Sequence, residues 1–198
     1  MKRAIFVLCV LLAAGAAGAT EVTKTPGTSG GPTEQKGSTS PVPVPANVTS
    51  QVYVGEVAPD FELDGSEGRP VRLARLKGYW LLLVFADRRA DLAPLHEIEP
   101  RLRRLGVKPY GICGDKAHTL RSFARQRQLP FVLLADVSGE VSQLYGLRDF
   151  RTGQIRPGFA LINRQGVVRM ALLGEALPYD EMLGLVESAV TGLRSLRG

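Results

Sequence analysis

The sequence predicts a layered α/β domain over residues 51–198, with a central mixed sheet and helices on both of its faces. Two observations favour this fold class. Apolar stretches of strand length alternate along the chain with amphipathic stretches of helical length. The longest apolar run of this domain, "YWLLLVFA" at 79–86, carries no charged residue, which is typical of a strand that is covered on both faces.

The first half of the domain is predicted to contain two short strands, the central strand, a helix and a further strand. The short strands are "DFELDG" at 60–65 and "RPVRLARL" at 69–76, which flank a glycine-containing turn. "VKPYGIC" at 107–113 is predicted as the strand after the helix. That helix, over 91–105, has its apolar residues on one stripe: Leu92, Leu95, Ile98, Leu102 and Leu105.

The second half of the domain continues the alternation of helices and strands. Asn163 to Gly166 is predicted as a turn between the last two strands, because Asn and Gly are common turn residues. The predicted elements are a helix at 116–128, a strand at 130–136, a short helix at 139–146, strands at 158–163 and 167–174, and a closing helix at 178–193.

The first nineteen residues have the composition of a secretory signal peptide. Lys2 and Arg3 form a basic start, residues 4–14 are apolar, and Ala17-Gly18-Ala19 is a small-residue cleavage pattern. This segment predicts an extracytoplasmic location, either periplasmic, in the cell envelope or secreted. A membrane anchor is the alternative, although a spanning helix needs about 20 apolar residues and this stretch is shorter.

Residues 20–50 are predicted to be a disordered linker. Pro, Gly, Ser and Thr account for 20 of these 31 residues, and such a composition buries too little apolar surface to offset the entropy of ordering.

The charge of the chain does not favour nucleic-acid binding. The full sequence has a formal net charge of +6, but residues 51–198 carry 21 basic and 17 acidic residues, a net charge of +4. The arginines are scattered rather than gathered into one strip. His96, beside Glu97 and Glu99, is interpreted as a solvated helix residue, so we predict neither a metal nor a cofactor.

Four segments, in this order and at these separations, carry a family resemblance. They resemble the peroxiredoxin branch of the thioredoxin-like fold, the alkyl hydroperoxide reductase/thiol-specific antioxidant family, and the resemblance covers residues 53 to about 190. The segments are "VGEVAPDFEL", "RLKGYWLLLVF", "LPFVLLADVSGEVSQLYGL" and "RPGFALINRQGVVRMALLG".

The resemblance implies a thiolate at the start of the helix after the central strand, in a Pro-x-x-x-Thr/Ser-x-x-Cys motif, with an arginine nearby. Helix N-termini and guanidinium groups both lower the pKa of a thiol. In this sequence the Pro position is Asp87, the Thr position is Asp91 and the Cys position is Pro94. A shift of one residue places Ala93 at the Cys position, so only the arginine, Arg156, is retained.

These replacements predict that peroxidase activity has been lost. Asp87 and Asp91 add negative charge where a thiolate needs positive surroundings. Asp91 is also expected to cap the helix, and Pro94 is well tolerated at a helix start. If Arg156 is buried, it needs an acidic partner, and we expect an ion pair with Asp87 or Asp91 to close the vacated pocket.

Two main functional hypotheses remain, besides a third in which the domain binds a small ligand in the vacated pocket without reacting with it. The first is a non-enzymatic binding or interaction module with an unidentified protein or small-molecule partner. The second is a thiol-dependent antioxidant oxidoreductase that reduces peroxides or disulfides with Cys113 and Arg156. Cys113 is the single cysteine outside the predicted signal peptide, and it ends a strand beside the vacated position. It is expected either to be buried and inert or to be a relocated reactive thiol.

Overall fold

The computed structural model describes residues 52–195. The predicted signal peptide and linker lie outside these residues. The described chain forms seven strands and five α-helices, with a 3-10 helix at Leu73–Leu76. The strands are β1 (Glu62–Gly65), β2 (Pro70–Arg72), β3 (Trp80–Phe85), β4 (Val107–Cys113), β5 (Val132–Ala135), β6 (Gly158–Ile162) and β7 (Val168–Leu173). The helices are α1 (Arg89–Leu92), α2 (Leu95–Leu105), α3 (Ala117–Gln126), α4 (Glu140–Leu144) and α5 (Tyr179–Ser195).

The strands form one mixed sheet in the order β2-β1-β5-β4-β3-β6-β7. β3, β4 and β5 run parallel, whereas β6 pairs with β3 in the antiparallel direction and β1 does the same with β5. This arrangement confirms the predicted α/β fold with a mixed central sheet.

The central strand β3 is buried along its whole length. Its neighbours β4 and β6 satisfy its backbone hydrogen bonds on both sides, and its alternate side chains enter two different cores. Leu82 and Val84 face the core beneath α2, α3 and α5, whereas Leu81 and Leu83 face the opposite core. A continuous apolar run is therefore what this position requires.

The two faces of the sheet are covered unequally. The first core packs against the long helices α2 and α5 through Leu102 and Val186, among other side chains. The second core is covered by the N-terminal segment, the 3-10 helix and α4, which contribute Phe61, Leu73 and Val141. Short elements thus cover the second face.

Two predicted elements have different boundaries in the structure. The single helix predicted over 91–105 is two helices, because Pro94 lacks the N–H that would continue the backbone hydrogen bonding from α1 into α2. The strand predicted over 69–76 ends at Arg72. Asp60 Oδ1 accepts the Ala74 N–H at 2.9 Å, and this contact holds the chain in the 3-10 turn that follows.

Within residues 52–195, none of the helices combines the length and apolar character needed to cross a bilayer.

Candidate functional site

The candidate site lies where β3 and β4 end at the same edge of the sheet. The two strand ends are adjacent, since the Ala86 N–H donates to the Ile112 carbonyl at 3.1 Å. The carboxyl ends of parallel strands are where α/β proteins place their sites. The chain then forms α1 and enters α2, so residues 87–94 surround this edge.

The two aspartates of the vacated motif are exposed and have local partners. Asp91 receives two hydrogen bonds from the Arg88 guanidinium, at 2.9 and 3.1 Å. Asp87 Oδ1 accepts the Ile155 N–H at 3.2 Å and so ties the end of β3 to the segment before β6. Asp91 lies within α1 and does not cap a helix, so the capping prediction was wrong.

Pro94 occupies the position before α2 and is exposed, with φ of −64° and ψ of −13°. Ala93 is half-buried, and the apolar anchors of this segment are Leu92 and Leu95, both fully buried. The proline is accommodated at the helix start, as predicted. No side chain from residues 87–94 brings sulfur to this helix start.

Arg156 does not close the vacated pocket. Its side chain is exposed and donates a hydrogen bond to the Gly146 carbonyl at 2.8 Å. Among residues 52–195, no ion pair involves Arg156, so the predicted pair with Asp87 or Asp91 was wrong. An exposed guanidinium is solvated and needs no carboxylate partner, which removes the physical reason for the pair.

Cys113 is fully buried. Its Sγ atom lies 4.0 Å from Oδ2 of Asp115, and both oxygens of that carboxylate are bound by Arg89, at 3.0 and 3.1 Å. Burial raises the pKa of the Cys113 thiol to about 11, and the charge of Asp115 acts in the same direction. The surroundings of this thiol therefore favour its protonated form.

A small pocket of about 100 Å³ lies beside the vacated motif. Asp91 and Glu175 are among its lining residues, together with the apolar residues Phe159 and Met182. Tyr179, at the start of α5, donates its hydroxyl to the Asp91 carbonyl at 2.7 Å, and burial raises the pKa of this tyrosine to about 12.

Three residues of this edge were not predicted from the sequence: Arg89, Asp115 and Tyr179. The Arg89–Asp115 pair joins residues 26 positions apart, and Tyr179 contacts a residue 88 positions away. Contacts between residues so far apart along the chain leave no pattern in a single sequence that would reveal them. Among residues 52–195, no group of His, Cys, Asp and Glu side chains is placed to hold a metal ion.

The strand order and the helix after the central strand are those of a peroxiredoxin-like protein of the thioredoxin fold. The family model for the AhpC/TSA family matches residues 54–171, and this chain belongs to that family.

Curated relatives agree with this assignment, and solved structures share the fold. The chain is 28% identical over 155 residues to the chloroplastic peroxiredoxin Q of Sedum lineare, an alignment that covers 72% of this chain and 82% of the relative. It is similar in fold to peroxidoxin BcpB of Mycobacterium tuberculosis, with a TM-score of 0.62 and 21% identity over 75% of this chain and all of the other. It is likewise similar to AhpC of Enterococcus faecalis, with a TM-score of 0.64 and 17% identity over 70% of this chain and 93% of the other.

Proposed function

We propose that this member of the AhpC/TSA family is exported, has no peroxidase activity and acts as a binding module. The observation that carries the proposal is the position and burial of the only thiol in the described residues. The helix start that the family resemblance assigns to the thiolate has Pro94, and the thiol of Cys113 is fully buried.

The buried thiol is poorly suited to attack a peroxide. The thiolate is the nucleophile, and a thiol with a pKa of about 11 is ionised to only about one part in ten thousand at pH 7. The Asp115 carboxylate, which Arg89 holds, also places negative charge beside the sulfur.

The charges around the vacated position also oppose the old chemistry. Asp87 and Asp91 replace the neutral Pro and Thr that the resemblance implies, and both are exposed at this edge. Arg88 neutralises Asp91 through an exposed ion pair rather than pointing a free cation at the site. Arg156 is held at the Gly146 carbonyl.

A binding role agrees with the surface that remains. The 100 Å³ pocket beside Asp91 is lined mainly by apolar residues, which gives a small partner a place to bind. The basic start, apolar run and small-residue pattern of residues 1–19 support export of the domain on a linker.

The decisive experiment measures consumption of hydrogen peroxide and of an organic hydroperoxide by the full chain, with dithiothreitol as the reductant. We expect no turnover above that of buffer with dithiothreitol. Turnover that is abolished by Cys113→Ser but not by Cys9→Ser would show that Cys113 is a working peroxidatic thiol and overturn the proposal.

A matched variant shows whether this edge of the sheet can present a reactive thiol. The variant Pro94→Cys, in a Cys9→Ser, Cys113→Ser background, places an exposed thiol at the vacated position, and we expect a thiol reagent to label it in the native state at pH 7.

Export is tested separately. The mass of the chain recovered from the extracytoplasmic fraction should correspond to a protein that begins at Thr20, and an intact Met1 start in the cytoplasm would contradict export.

A further inference from the structure

A mostly apolar pocket of about 270 Å³ lies at the opposite end of the sheet from the vacated motif. It lies on the face that short elements cover, between the 3-10 helix and the strand ends of β3 and β6. Its lining is mostly apolar: Val57, Ala58, Leu73, Ala74, Leu76, Leu81 and Ile162. Ligand pockets in proteins are typically lined in this way, with a few polar groups that fix orientation.

Two of the three polar side chains in the lining are occupied by their own protein contacts. Asp60 binds the Arg72 guanidinium and the Ala74 N–H, each at 2.9 Å. Asn163 Oδ1 accepts the N–H groups of Gln165 and Val167, at 3.0 and 2.9 Å. These contacts shape the pocket wall and leave little acceptor capacity for a ligand.

The third polar side chain, Lys77, is the charged group available to a ligand. It is exposed and, among residues 52–195, has no ion-pair partner. Its stem lies over Gly166, where an added Cβ would sit 3.5 Å from Cε of the lysine. An ammonium group thus lies at the edge of an apolar pocket whose one carboxylate is already paired.

We propose that this pocket binds a small apolar carboxylate, such as a medium-chain fatty acid, with its tail against Leu73, Leu81 and Ile162 and its carboxylate at the ammonium of Lys77. The volume is equivalent to about nine water molecules at roughly 30 Å³ each, which suits a short chain or one aromatic ring. The unpaired cation selects an anionic head group over a neutral or cationic one.

This site is separate from the vacated motif. Leu81 lines the pocket near the start of β3, and the vacated motif follows the end of that strand at Phe85. Four residues of β strand span about 13 Å. The pocket also opens on the face opposite to Cys113, so a ligand there is independent of any thiol chemistry.

The test is a titration of the full chain with octanoate, followed by amide NMR shifts and by isothermal calorimetry. We expect saturable binding with shifts centred on residues 73–77 and 162–166. Lys77→Gln should weaken octanoate about tenfold, because a charge-assisted contact is lost, and should leave octanol unaffected. Lys108→Gln is the matched control, since Lys108 lies over Tyr79, outside the pocket lining, and it should not change octanoate affinity.

A second variant fills the pocket without touching the lysine. Ala74 is exposed on the 3-10 helix and lines the opening, so Ala74→Leu should keep the far-UV circular dichroism of the parent and abolish binding of both octanoate and octanol. Absence of saturable octanoate binding to the parent chain, or octanoate affinity that is equal in the parent and in Lys77→Gln, would overturn the proposal. A change of sedimentation coefficient in Ala74→Leu without ligand would also overturn it, because the pocket would then be a contact between copies of the chain.

Discussion

The Sγ atom of Cys113 lies 4.0 Å from Oδ2 of Asp115, a carboxylate that Arg89 holds through two hydrogen bonds. The Asp115 carboxylate thus places a negative charge next to the sulfur, and the Arg89 guanidinium is paired with that carboxylate instead of with the thiol. The Arg89 side chain also lies 5.7 Å from the centre of the Phe123 ring, which fixes it from the other side. The Cys113 thiol therefore lies beside the Arg89–Asp115 ion pair and not beside an unpaired cation.

The burial of Cys113 predicts a pH dependence of its reactivity and of protein stability. Its folded pKa of about 11 exceeds the ordinary value of 9.0. The resulting stabilisation is fully present below pH 9 and is lost as the pH rises through 11, by up to about 3 kcal/mol. Native alkylation by iodoacetamide should therefore remain slow up to about pH 9. Urea unfolding of the parent and of Cys113→Ala between pH 8 and 11 should show a steeper loss in the parent. Parallel curves would contradict the prediction.

The Arg89–Asp115 pair is predicted to limit access to the thiol. Arg89→Ala removes the pair and the contact with Phe123, and we expect native labelling of Cys113 to accelerate roughly tenfold, which corresponds to about 1.4 kcal/mol of easier local opening. Arg88→Ala is the matched control, because Arg88 pairs with Asp91 at an exposed position. The measurement compares the rates of Cys113 labelling in the two variants and in the parent, all in a Cys9→Ser background. Equal acceleration in both variants would show that the ion pair has no specific role.

The fold could be predicted from the sequence because burial leaves a periodic pattern. The run at 79–86 could occupy only a strand with two apolar faces, and β3 is buried on both sides. The element boundaries that were predicted wrongly lie where a single contact determines the end of a strand or helix. The turn after Arg72 depends on a hydrogen bond from the Ala74 N–H to Asp60, 14 residues earlier in the chain. The break between α1 and α2 depends on one missing N–H at Pro94.

The candidate site was only partly accessible to sequence reasoning. The absence of cysteine from residues 87–94 is a matter of residue identity and needs no coordinates. The contact of Arg156 could not be predicted in this way. Its partner is the backbone carbonyl of Gly146, and because every residue has a backbone carbonyl, the sequence does not single out this one. The assumption that Arg156 is buried led to the wrong ion pair. Exposure of one side chain depends on the packing of neighbouring loops, which a single sequence does not record.

Asp136 is predicted to be the buried carboxylate on which the start of α4 depends. It is 1% exposed and accepts hydrogen bonds from Val141 N, Ser142 N and Ser142 Oγ, at 3.2, 2.7 and 2.6 Å. Asp136→Ala leaves these buried donors without an acceptor and should destabilise the protein by about 2–3 kcal/mol. Ser142→Ala removes the hydroxyl alone and should cost about 1 kcal/mol. Urea denaturation of both variants checks the order, and equal losses would contradict it.

Two glycines of the domain are predicted to respond to alanine in opposite directions. A Cβ on Gly158, at the start of β6, would lie 2.7 Å from the Leu172 carbonyl oxygen and 3.1 Å from Cδ2 of Leu147. Because the closer atom belongs to the backbone of β7, it cannot move aside as a flexible side chain would, and Gly158→Ala should destabilise the protein by about 1–3 kcal/mol. Gly184 lies exposed within α5 with nothing within 4 Å of an added Cβ, so Gly184→Ala should stabilise by about 0.5–1 kcal/mol. Thermal unfolding of the two variants measures both effects. A lower melting temperature for Gly184→Ala than for the parent would contradict the prediction, because it would mean that the added methyl group meets a neighbouring atom.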